Sequence, residues 1–198
     1  MRRLLYAPAS PYSAKVRMAA AHLGVPLQVE VVDTNAAGGP LSQANPLGKI
    51  PVLIEEDGRA IFDSRVILRH LDRLGEGRLF AARPDGGLAA QQLEALADGV
   101  ADCLLAHVYE RRFRPEEKIH QPWLDRQWAK SMRGLDALSA DAPMLNGELD
   151  GGQIALRALI GYLALRFSGQ WEAGREALLS WAADFDRRHP ALRELLPS

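Results

Sequence analysis

Residues 4–24, Leu-Leu-Tyr-Ala-Pro-Ala-Ser-Pro-Tyr-Ser-Ala-Lys-Val-Arg-Met-Ala-Ala-Ala-His-Leu-Gly, change hydrophobic period within a few positions. Leu4, Leu5 and Tyr6 form a short apolar run with strand character, although a run this short also fits a helix. From Val16 onward, Ala19, Ala20 and Leu23 recur at helical spacing, and Gly24 supplies a stop. The corner between the two patterns carries Ser10 at a helix N-cap and Pro11 at the first helical position, where a missing N–H costs nothing and φ is already set. A hydroxyl thus stands beside unpaired backbone N–H groups at the positive end of a helix, a place that favours an anion. The bland reading of the same residues is a capped helix and no more.

Residues 28–32 are rich in valine and read as a second strand, which completes a βαβ unit with parallel strands and a right-handed crossover. Residues 33–44, rich in Gly, Asn, Ser and Pro, form a surface loop with room for a short helix. Next, Ile50-Pro51 enters the apolar run Val52-Leu53-Ile54; because proline cannot donate to a ladder, it begins the strand or lies at an edge. Its peptide bond is either trans, the commoner state, or cis, which would free the Ile50 N–H and C=O to bond something else. Glu56-Asp57-Gly58 then separates two apolar runs as a hairpin turn. Asp63-Ser64 opens a helix with Ile67, Leu68, Leu71 and Leu74 on one face and Gly75 after it, and either residue serves as its cap. The order β-α-β, loop, β-hairpin, α makes a small mixed sheet with helices on its faces.

Arg83-Pro-Asp-Gly-Gly87 carries dense turn signals, which places a linker at residues 79–84 between a domain at 1–78 and one at 85–198. Residues 88–112 repeat Leu93, Leu96, Val100, Leu104 and Val108 as one buried helical face. Asp98, Asp102, Tyr109 and Arg112 lie along the same helix at spacings that point several of them into one cleft, or else form a solvated face. Pro115 ends this helix, another spans 123–138 after Pro122, and terminal helices are expected at 176–185 and 190–196. Asp150 and Gln153 make a capping box for a buried helix at 154–167; Gly151 and Gly152 cost about 1 kcal/mol each if they lie inside it.

With 24 basic and 25 acidic residues the chain has no global field to hold nucleic acid or an anionic membrane. No apolar run is long enough to cross a bilayer, and Arg2-Arg3 lack the sustained apolar stretch of a signal peptide behind them. The single cysteine, Cys103, cannot form an internal disulfide and reads as packing, so a cytoplasmic location is expected. The five histidines show no metal-ligand spacing, and no metal is expected.

Three residue sets, in order, carry a resemblance: Ser10-Pro-Tyr-Ser-Ala-Lys-Val-Arg17, Asn45-Pro-Leu-Gly-Lys-Ile-Pro51-Val-Leu53, and Asp63-Ser64 before Val66-Ile-Leu. The chain resembles the soluble glutathione transferases, and in particular bacterial serine-type members with a theta- or zeta-like opening motif. The match is sharp to Leu74 and architectural beyond, apart from Leu145-Asn-Gly147 and the helix after it. The resemblance implies an α/β thioredoxin-like N-terminal domain, βαβ-ββα, and an all-α C-terminal domain. It also implies a homodimer that binds glutathione as co-substrate and conjugates it to small electrophiles.

By the same resemblance Ile50-Pro51 is cis and Ile50 binds the cysteinyl backbone. Ser64 takes the γ-glutamyl carboxylate, Asp63 approaches its ammonium, and Lys49 suits the carboxylate at the glycine end. Ser10 matches the catalytic serine, which donates a hydrogen bond to the sulfur. An ordinary thiol, pKa ~8.5, is only a few per cent ionised near neutrality, and lowering it by about two units requires about 2.7 kcal/mol. Tyr12, pointing away from the ligand, and Ser13, one turn on, are the competitors. Tyr12, Tyr109, Arg112 and Phe113 are candidates for the electrophile pocket, and an acid on the long helix is expected to reach the γ-glutamyl ammonium of a ligand bound across the dimer. Thiol-transferase relatives place cysteine where this chain has Ser10; serine forms no mixed disulfide, so direct attack on an electrophile is favoured. A glutathione-dependent isomerase or dehalogenase of zeta-like type, or a non-catalytic binding or regulatory protein on the same fold, are the alternatives.

Overall fold

The computed structural model describes residues 1–36, 38–83 and 85–198. Its first half contains β1 (Arg3–Tyr6), α1 (Pro11–Leu23), β2 (Gln28–Val31), α2 (Pro40–Ala44), β3 (Val52–Ile54), β4 (Ala60–Ile61) and α3 (Ser64–Leu74). The strands form one sheet in the order β2-β1-β3-β4. β1 pairs parallel with β2, and antiparallel with β3, which pairs antiparallel with β4. The second half is helical: α4 (Leu88–Phe113), a 3-10 turn (Glu116–Lys118), α5 (Gln121–Ala140), α6 (Gly151–Arg166), α7 (Glu176–Arg188) and α8 (Pro190–Arg193). A mixed sheet with flanking helices followed by an all-α unit is the thioredoxin-like and helical arrangement that the resemblance implies.

Local chemistry accounts for the helix ends. Ser10 caps α1, its Oγ accepting the Ser13 N–H at 3.2 Å, and Gly24 closes it with φ 69°. At α6 the Gln153 N–H donates to Asp150 Oδ1 at 2.8 Å, while the Asp150 N–H donates to Gln153 Oε1 at 3.0 Å, a reciprocal capping box. Alternation along β1 sends Leu4 into the main core and Leu5 into a smaller cluster with Leu41 and Val52 on the other face of the sheet. The main core runs unbroken from Leu4 and Val16 through Ile67 and Leu71 to Leu104, Ile154 and Leu163.

Two expectations are corrected. Leu96 is 39% exposed and Leu74 41%, so neither belongs to a buried face. Val100 and Leu104 of the expected face are buried, and α4 also buries Ala90, Glu94, Ala97, Asp98 and Ala101. The second concerns the start of the buried helix: α6 begins at Gly151 rather than at 154, so Gly151 and Gly152 lie inside it, where their backbones are closely packed. A Cβ on Gly151 would stand 1.9 Å from Phe80 Cζ, and one on Gly152 would stand 2.5 Å from the Ala90 carbonyl oxygen.

The segment after α3 is tied down by Asp72, a buried carboxylate that accepts the N–H groups of Leu79 at 2.6 Å, Phe80 at 3.2 Å and Ala81 at 3.1 Å. Pro84, the last residue of the expected linker, lies outside the described residues. Across the sheet, Glu55 follows β3 and receives Arg2 Nε at 2.9 Å and His70 Nε2 at 2.6 Å. Burial pushes this carboxyl up, but the hydrogen bonds from His70 and Arg2 prevail and hold it below its ordinary value.

Gly151→Ala is expected to destabilise the fold by about 3 kcal/mol in urea unfolding through overpacking against Phe80. Gly147→Ala, where an added Cβ meets nothing within 4 Å, serves as the near-neutral comparison. The depressed Glu55 carboxyl contributes stability that is full above its ordinary value of 4.5 and is lost as pH falls through the lower folded value. The urea midpoint therefore drops as pH falls from 4.5 through that lower value, and Glu55→Gln removes part of that slope.

Candidate functional site

The sheet register brings the candidate residues to one edge. Leu5 pairs with Val52, so the end of β1, leading to Ser10, adjoins the start of β3, which Ile50-Pro51 enters. Leu53 pairs with Ile61, so the end of β4, leading to Asp63 and Ser64, adjoins that same start. Two helix N-termini, α1 at Ser10-Pro11 and α3 at Asp63-Ser64, therefore open beside the Ile50-Pro51 peptide. That peptide is cis, as the resemblance implies, and Phe62-Asp63 is cis as well, a feature that no residue type announces. Ile50 forms no backbone hydrogen bond among the described residues. Lys49 is exposed, and its carbonyl accepts Asn45 Nδ2 at 2.8 Å.

At α1 the two serines separate by burial. Ser13 is fully buried and its hydroxyl has no hydrogen-bond partner among the described residues, whereas Ser10 is half-buried. Ser10 Oγ uses acceptor capacity on the Ser13 N–H and keeps its own O–H as a donor. At α3, Asp63 is the N-cap, one carboxylate oxygen accepting the Arg65 N–H at 3.0 Å, and Ser64 is the first helical residue, 4% exposed.

Behind both helix starts lies a buried charge network. Lys15, 1% exposed, donates to Glu94 Oε1 at 3.1 Å and to Asp98 Oδ2 at 2.7 Å. Arg65 Nε reaches Asp98 Oδ2 at 2.9 Å, and Arg69 reaches Glu94 Oε2 at 2.7 Å. The Asp98 hydrogen bond, opposed by burial, raises the Arg65 pKa above its ordinary value. Asp98 is thus not part of a solvated face; its carboxylate is paired within its own chain. Sequence reasoning missed Lys15, Arg65, Arg69 and Glu94. The available signal was Lys15 between Ala14 and Val16 in an apolar helix, matched by two acids four residues apart on the buried stripe of α4.

Tyr12 also reaches α4, its hydroxyl donating to Asp102. Burial, then the Asp102 hydrogen bond, raises the phenol pKa far above its ordinary value, so Tyr12 remains a neutral donor. Tyr109 lies two turns beyond Asp102, about 10 Å along the axis. There Tyr109 packs edge-on to Phe113 with ring centroids 5.4 Å apart, and Arg112 Cζ stands 5.8 Å from the Tyr109 ring. These three are exposed and form a group of their own at the end of α4. Among the described residues no group of three His, Cys, Asp or Glu is placed to hold a metal ion.

The family model described as glutathione S-transferase, N-terminal domain, matches residues 9–74. The chain is 32% identical, over 162 residues and 79% of each protein, to the uncharacterized GST-like protein YibF of Escherichia coli K12. It superposes on a glutathione S-transferase of Methylobacillus flagellatus KT with glutathione bound, at TM-score 0.91, 34% identity and full coverage of both chains. A glutathione transferase family member of Pseudomonas fluorescens Pf-5 with bound glutathione also matches over both full chains, at TM-score 0.91 and 32% identity. Sequence identity at this level over whole chains, together with two helix starts and a cis proline at one sheet edge, makes this chain a member of the glutathione S-transferase family.

Proposed function

We propose that the chain is a serine-type glutathione transferase, with residues 1–78 binding glutathione and residues 85–198 supplying the acceptor's seat. The observation that carries this reading is the convergence of Ser10, Ile50-Pro51 and Asp63-Ser64 on one edge of the sheet, set by the pairings of Leu5 with Val52 and Leu53 with Ile61. Glutathione bound in two relatives that match over the full chain supports it.

Each group has a task that its chemistry fits. Ser64 and the first N–H groups of α3 receive the γ-glutamyl carboxylate, since a helix start favours an anion. Asp63 has a second carboxylate oxygen for the ammonium. The unpaired Ile50 main chain meets the cysteinyl backbone, and the exposed Lys49 meets the carboxylate at the glycine end. Ser10 donates its O–H to the sulfur. With the field of the α1 N-terminus, that hydrogen bond shifts the thiol toward thiolate. The thiolate electron pair then forms a carbon–sulfur bond at the electrophile; a halide departs, or in an addition the adduct takes a proton from solvent.

Isomerisation or dehalogenation of zeta-like type uses the same thiolate and is the second reading. A non-catalytic role is disfavoured because a scaffold needs neither a free Ser10 donor nor an unpaired Ile50 backbone. We place the protein in the cytoplasm as a homodimer.

Ser10→Ala is expected to lower kcat about 100-fold, as loss of a donor to a developing or resting anion does, with glutathione binding largely kept. Ultraviolet titration of bound thiolate should shift to higher pH; equal turnover near neutrality removes Ser10 from the mechanism. Ser64→Ala is expected instead to weaken glutathione binding about tenfold in titration calorimetry, with less effect on kcat at saturation. If the unaltered protein gives no saturable heat with millimolar-range glutathione, the whole reading fails.

A further inference from the structure

α4 and α6 run side by side in the same direction. Gly152, at the start of α6, faces Ala90 and Leu93 of α4, while His107, toward the end of α4, packs edge-on to Phe167 just past α6 at 5.8 Å. The closing turns of both helices therefore adjoin. Tyr109, Arg112 and Phe113 share a face of α4 at i, i+3 and i+4, and Tyr162 and Arg166 share one of α6 at i and i+4.

The charge at this place is one-sided. Neither Arg112 nor Arg166 has a carboxylate partner among the described residues. The acids on the neighbouring turns of α4 are taken: Glu110 by Arg114 at 3.0 Å, Asp102 by the Tyr12 hydroxyl, and Asp98 by Lys15 and Arg65. Burial raises the Tyr162 phenol, while the positive charges of Arg166 and Arg112 act on it in the opposite sense; Tyr162 also acts on the Tyr12 phenol, near the opening corner. Macrodipole complementarity accounts for a basic residue in a last turn. It does not account for two guanidiniums without carboxylate partners among the described residues on adjoining closing turns, one of them 5.8 Å from the exposed Tyr109 ring that packs on Phe113.

We propose that this cleft selects electrophiles combining an aromatic or apolar body with an anionic group, the body lying against Tyr109 and Phe113 and the anion between Arg112 and Arg166. A guanidinium fork suits a planar carboxylate or a sulfonate, and a tyrosine face carries the ring without a desolvated charge of its own. The assignment deepens the transferase reading and rests on it.

Two nearly isosteric conjugates test it by calorimetry: S-(4-carboxybenzyl)glutathione and S-(4-methylbenzyl)glutathione. The unaltered protein is expected to bind the carboxylate conjugate about tenfold more tightly than the methyl one, and less so at high salt. In Arg112→Gln/Arg166→Gln that ratio falls to about one, and the corresponding double lysine variant recovers part of it. Circular dichroism verifies folding of each variant. Equal binding of the two conjugates to the unaltered protein, or a preference that survives the double glutamine variant, overturns the anion assignment and leaves the glutathione reading standing. Failure of plain glutathione and both conjugates to saturate overturns the two together.

Discussion

Glu94 and Asp98 are charges taken out of water on α4, and each is held by one cation from α1 and one from α3. Desolvating carboxylates is costly, and removing one partner from such a set strands the rest, at roughly 3–5 kcal/mol for a buried pair. The set therefore tolerates one relative placement of the three helices and penalises others. Lys15 lies five residues beyond Ser10, and Arg65 immediately follows Ser64. The same ion pairs that join the two halves of the chain thus fix the start of α1 and the start of α3 against α4.

Electrostatics at the sheet edge follow from that arrangement. Lys15, Arg65 and Arg69 meet Glu94 and Asp98 beneath two helix N-termini whose macrodipoles are positive, and Asp63 and Asp102 also act on Arg65. Ser10 Oγ accepts the Ser13 N–H, and its own proton stays available as a donor. Ser13 lies one turn deeper with no exposed surface, which leaves Ser10 as the hydroxyl that meets solvent.

Most of the fold was legible because its punctuation is chemical. Ser10-Pro11 and Gly24 bound α1 where their types require, Asp57-Gly58 turns the β3–β4 hairpin, and Asp150 with Gln153 caps α6. The edge residues were legible as motifs, and strand pairing is what gathers them. What one-dimensional period could not convey is distance between elements that are far apart in sequence. The apolar repeat on α4 pointed to Leu96, but the intimacy of α4 and α6 favours Ala97 and Ala101 on the buried side, and the Lys15 ammonium favours Glu94 and Asp98. Asp98 looked available for the same reason: its partners are 33 and 83 positions away.

Phe80 joins α3 to α6. Arg69 lies over its ring with Cζ 3.6 Å from the centroid, and the far edge of the ring meets Gly151, where any side chain would collide. Arg69 also holds Glu94, so a single guanidinium touches the charge network and the wedge at once. Asp72 fixes the Phe80 backbone from α3, and Gly152 closes α6 onto α4 one residue further along. The line from α3 through Phe80 to α6 is thus made of contacts with no slack. Gly151 and Gly152 thus set how closely the start of α6 approaches Phe80 and α4. A helix that opens on two glycines is poor by propensity alone; here close packing requires it.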